Sequence, residues 1–161
     1  MSRARQFPFV PRSNAYLERG DYWAIPTRRG GWYGCAAVLW PGRNSGSRVT
    51  FGIGLLDWCG PQVPMPDDLD GARVLEFGFA HVKTVADSGR HLVGTARVVG
   101  GPTDDAFARA ARFEWPEVRD ITSWGRGTVE AMVHTRFGRH FPEHPSVAVE
   151  RPWALRGGAD A

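Results

Sequence analysis

Between Arg48 and Asp57 the chain reads RVTFGIGLLD, with Val49, Phe51, Ile53 and Leu55 at every second position. Such alternation marks a strand that buries one face. The positions between them, Thr50, Gly52 and Gly54, carry little or no side chain, so the opposite face permits bending or the close approach of another element. This stretch commits the chain to a curved sheet, and its neighbours extend it. Asp21–Pro26 alternates Trp23 and Ile25 with smaller residues and stops at proline, and Trp32–Trp40 is apolar on both faces, as a central, covered strand requires. Thr27-Arg28-Arg29-Gly30-Gly31 joins these two as a turn. Arg73–Ala80 repeats the alternation through Leu75, Phe77 and Phe79. Asp87-Ser88-Gly89 reads as a turn, and His91–Val99 as a returning strand.

The second half changes character. Thr103-Asp104-Asp105 precedes AFARAAR, an N-cap signal followed by helix formers. Pro116 ends or redirects the chain. Thr128 caps VEAMVHTRF, where Val129, Met132, Val133 and Phe137 recur at helical spacing before Gly138 stops the helix. The expected class is α+β: a strongly bent antiparallel sheet or small β-barrel over the N-terminal two-thirds, with one or two short helices packed on it. At 161 residues we expect a single β-rich domain over 15–156, a flexible basic arm over 1–14 and a disordered tail over 157–161. No apolar run approaches the ~20 residues of a membrane span. Phe7-Pro8-Phe9-Val10 is too short for a secretory signal, so a cytoplasmic protein with Cys35 and Cys59 as reduced thiols is expected.

Charge is unevenly spread. Residues 1–48 carry eight arginines against Glu18 and Asp21, whereas 57–87 holds six carboxylates against Arg73 and Lys83, within a net charge of +3. Known chemical patterns fail in turn. His134, His140 and His144 form the tightest histidine set, but Pro142 interrupts the last pair, so no metal is expected. Gly52-x-Gly54 meets Asp57 where a dinucleotide fingerprint needs its third glycine, and GPTDD lacks the Lys-Ser/Thr ending of a P-loop. No Gly-x-Ser-x-Gly elbow exists, and neither a cofactor nor a catalytic residue is expected. Asp67, Asp68 and Asp70 follow prolines 61, 64 and 66, a wet loop suited to steering a basic protein partner. Of seven tryptophans, Trp23, Trp32 and Trp40 suit a core. Trp58, just before that loop, suits an interface anchor.

Gly20-Asp21, the strand YWAIP, the short turn, WYGCAAVLW with Gly34 inside it, and VTFGIGLLD together resemble the start of the immunity-26 family, antidotes of bacterial polymorphic toxin systems. The likeness covers about the first 60 residues, and the helix VEAMVHTRF fits more loosely. It implies a cytoplasmic protein without catalysis that binds and blocks one cognate toxin encoded nearby. Trp58, Asp67, Asp68 and Asp70 are the expected partner-binding residues. Antidotes to basic nuclease toxins are often acidic, and this chain is not. RGDYWAIPT with GCAAVLW is also similar to the first strands of PemK-type toxin ribonucleases, which would give Arg28 or Arg29 with Thr50 an RNA-cleaving role. Tyr33-Gly34-Cys35 replaces the Arg-Pro pair usual there. A basic barrel that binds nucleic acid through the arginine arm and exposed Trp is a third alternative, but no regular interleaving of arginine and aromatics supports it, so nucleic acid is not an expected partner.

Overall fold

A computed structural model of the chain describes residues 5–27, 31–43, 45–111 and 123–137. Its frame is four strands, β1 (Asp21–Pro26), β2 (Tyr33–Trp40), β3 (Thr50–Gly60) and β4 (Ala72–His81), each antiparallel to the next. Two-residue strands finish the edges: β5 (Gly94–Thr95) pairs antiparallel with β1, while β6 (Val98–Val99) and β7 (Ser123–Trp124) pair parallel with β4. Among the described residues three helices complete the α+β fold: α1 (Lys83–Gly89), α2 (Asp104–Ala111) and α3 (Arg126–Phe137).

The sheet has to curl. In the order β5-β1-β2-β3-β4-β6 a flat sheet would hold its outer strands about 24 Å apart. Thr95 and Val98 are three residue steps apart, a reach of about 10 Å. Only a half-barrel brings both edges to that segment. Register shifts supply the bend: between Leu55 and Leu56 the partners step from Glu76 to Val74, leaving Leu75 as an extra residue. Two more shifts lie between β2 and β3.

Both faces are covered. Trp23, Ile25, Val38, Phe51 and Ile53 share one core with Val85 of α1 and Val129, Val133 and Phe137 of α3. Tyr22, Leu39, Leu56 and Trp58 share the other with Leu69, Val98 and Phe107 of α2. Missing side chains seat the helices. A Cβ at Gly34 would lie 2.6 Å from Val133 Cγ1, and one at Gly52 would lie 2.8 Å from the Phe107 ring. The close approach expected opposite Phe51 and Ile53 is therefore made by α2. Its N-terminus is capped as expected, with Ala106 N–H donating to Thr103 Oγ1 at 3.1 Å.

Four segments depart from expectation, the first being the start of α3, which begins at Arg126 and so holds Thr128 inside the helix rather than at its cap. Asp87-Ser88-Gly89 is the end of α1 rather than a free-standing turn, because Ser88 is buried, donates to Thr84 O and accepts the Trp23 indole N–H at 2.9 Å. Arg90, at φ 75°, with His91 N–H donating to Gly89 O, then turns the chain back. His91–Val99 is not one strand, since it crosses from one edge of the sheet to the other. The arm is not loose from Arg5 onward. Phe9 and Leu92 exchange backbone hydrogen bonds at 3.2 and 2.9 Å, and the buried Asn14 amide donates to the carbonyls of Gly42, Ser47 and Thr50. Pro116, Gly138 and the tail over 157–161 lie outside the described residues.

Candidate protein-interaction loop

Gly20-Asp21, the most distinctive pair of the N-terminal stretch, is structural. Asp21 is 0% exposed, yet its carboxylate is fully engaged. It accepts both guanidinium nitrogens of Arg5, the Glu18 N–H at 2.8 Å and the Thr95 hydroxyl at 2.8 Å. A buried carboxylate is tolerated when paired and hydrogen-bonded in this way. Arg5 in turn stays protonated more firmly than an ordinary arginine, chiefly through its hydrogen bond to Asp21. This network joins the N-terminal segment, β1 and β5, leaving no lone pair aimed at a substrate.

The thiols are equally quiet. Cys35 and Cys59 are both buried, and burial pushes the Cys35 thiol well up, the opposite of what a nucleophile needs. Two exposed arginines are tied to the backbone: Arg19 donates to the carbonyls of Leu39 and Gly100, and Arg43 to that of Leu17. Arg28 and Arg29 lie outside the described residues. Their flanks, Thr27 and Trp32, close the β1–β2 end of the sheet through a 2.9 Å backbone hydrogen bond. Thr50 sits at the other end, where Trp40 pairs with Gly52, and its hydroxyl accepts from Ser47 Oγ at 2.9 Å. The eight residues of β2 separate the two places by about 25 Å.

His81 accepts the Lys83 N–H at 3.0 Å, and His134 is exposed on α3. His140 and His144 lie outside the described residues. Among the described residues no three potential ligands cluster as a metal would need. Clefts of about 460 and 220 Å³ flank α3. The first is spanned by the Arg136–Glu76 ion pair.

The Pro61–Asp70 loop is different in kind. Three prolines restrict its backbone, and four contacts then hold it. Tyr22 OH donates to the buried Pro64 carbonyl at 2.8 Å. Leu69 is buried in the core. Met65 N–H donates to Asp68 Oδ2 at 2.8 Å while Asp68 N–H returns to Met65 O at 3.0 Å, closing the turn at Pro66–Leu69. Gly71 N–H donates to Arg97 O at 2.8 Å. Burial beneath the loop holds the Tyr22 phenol far above its usual pKa, so it stays a donor. On this brace Met65 is 68% and Val63 44% exposed.

The expected partner-binding residues separate here. Asp67 and Asp70 are exposed, and Asp70 pairs with Arg97 at 3.0 Å. Asp68 is half-buried and serves the turn. Trp58 is 1% exposed and sits in the core with Tyr22, Leu56 and Leu69, so it supports the loop from below and presents no surface to a partner. Its position after Asp57 concealed this, because the cover on that face comes from segments distant along the chain, Leu69 of the loop, Val98 and Phe107 of α2. Met65 and Val63 were missed, although a readable signal existed. Apolar residues bracketed by prolines, as in Val63-Pro64-Met65-Pro66, have little helical or strand structure in which to be buried.

Among the described residues no helix is long and apolar enough to cross a membrane. Comparison of the chain with models of protein families, with curated proteins and with solved structures finds no match.

Proposed function

We propose that the protein is an immunity protein: it binds one cognate bacterial toxin in the cytoplasm, one to one, and blocks it without catalysis. The carrying observation is the Pro61–Asp70 loop, held by the core at Pro64 and Leu69 while Val63 and Met65 stand in solvent beside Asp67 and Asp70. Apolar side chains on a preorganised loop lose little entropy on binding, which is how a small inhibitor gains affinity. The resemblance of the first 60 residues to immunity-26 antidotes supports the same reading. So does the use of Asp21, Arg5 and the buried thiols for folding.

The test is co-expression. The reading requires a toxin gene adjacent to this one, and its product should arrest growth alone. It should be harmless when this protein is present, and the two should elute as a one-to-one complex. A toxic neighbour that this protein neither rescues nor binds refutes the reading.

A further inference from the structure

Resting on that reading, we infer that Met65 is the anchor of the interface and that the toxin offers it a narrow apolar pocket rimmed by arginine or lysine. Met65 is the most exposed of the large apolar side chains among the described residues, and Val63 stands two residues away on the same proline-braced loop. An unbranched thioether enters irregular pockets readily, which is why methionine recurs at binding surfaces.

The rim follows from charge. Asp67 carries no ion pair among the described residues. Asp70 and Arg97 are 61% and 69% exposed, and a pair so exposed contributes little. A cation from the toxin can therefore replace Arg97 at Asp70 at small cost. Asp68 does not take part directly, because it closes the turn through Met65 N–H. The carboxylates repel phosphate, so the loop selects a basic protein over nucleic acid or an anionic membrane. An antidote of net charge +3 thereby meets a basic toxin through one local acidic surface.

The test uses the full-length protein and the purified, inactivated product of the adjacent toxin-like open reading frame, with binding kinetics recorded from low to high salt. Met65→Ala should weaken the complex about 30-fold, mainly through faster dissociation. Its Tm should not change, since the side chain makes little contact in the free protein. Asp67→Asn with Asp70→Asn should slow association on the order of tenfold at low salt and flatten its salt dependence. If the wild-type protein binds and rescues but both variants behave like it, the anchor is elsewhere and the immunity reading stands. If the wild-type protein neither binds nor rescues, both fall. A dimer of the protein alone that Met65→Ala abolishes overturns the inference in favour of a second copy as the occupant.

Discussion

Gly34→Ala probes how α3 is seated on the sheet. The new Cβ would lie 2.6 Å from Val133 Cγ1, 2.7 Å from Cγ2 and 3.2 Å from Cβ. Non-bonded carbons are at rest near 3.5–4.0 Å. Rotating the stiff valine χ1 moves the methyls but leaves its Cβ at 3.2 Å, so relief requires α3 itself to lift. Overpacking of this kind costs about 2 kcal/mol, which lowers Tm by about 4–8 °C in a domain of this size. Val133→Ala alone removes buried methyl groups and costs about 2 kcal/mol as well. Combined, the two changes offset each other, because the alanine at 34 fills part of the space the valine leaves. The double variant should lose about 2 kcal/mol rather than about 4. Urea unfolding followed by tryptophan fluorescence measures all three. Additivity within about 0.5 kcal/mol would show that α3 does not rest on β2 at Gly34.

Asp21→Asn should destabilise the fold by about 3 kcal/mol, since it places an amide N–H against the Arg5 guanidinium in a buried site. A variant lacking residues 1–12 should lose a comparable amount in the same denaturation assay, and unchanged stability in both would mean that the Arg5–Asp21 pair is idle. Tyr22→Phe leaves the buried Pro64 carbonyl without its donor and should cost about 1.5 kcal/mol. Hydrogen exchange should meanwhile quicken in the Pro61–Asp70 loop and not in β2. The Tyr22 phenol has its folded pKa raised above the unfolded value of about 10, so its contribution is complete below pH 10 and is lost as pH climbs further. Wild-type stability should therefore fall more steeply above pH 10 than that of Tyr22→Phe, and parallel curves would contradict the buried hydrogen bond.

Much of the fold was legible because its signals are local. The period of two through Val49, Phe51, Ile53 and Leu55 marks a strand whatever its neighbours, and Thr103 before AFARAAR marks a helix start. Two local readings failed for a shared reason. Asp87-Ser88-Gly89 has turn chemistry, but Trp23, 65 residues earlier, gives Ser88 a buried partner and so favours helix. His91–Val99 has strand composition, but the curled sheet presents two different edges to it.

The candidate site shows the same division. Composition and order place three prolines and three aspartates after β3, and on the strand pattern Trp58 is simply the next residue after Asp57. Which of these groups is exposed depends on contacts distant along the chain: Tyr22 reaches Pro64 across 42 positions, Leu69 and Trp58 join one core with Phe107, and Arg97 meets Asp70 across 27. A sheet apolar on both faces cannot declare from its own strands which face is covered by what, since an apolar run records only that both faces are covered. The four long strands, the capped α2 and the acidic loop were determined by the sequence alone. That Trp58 is a support, Met65 the exposed tip and Arg5 a fastening was decided by tertiary structure, because burial belongs to the closed sheet and not to any segment of it.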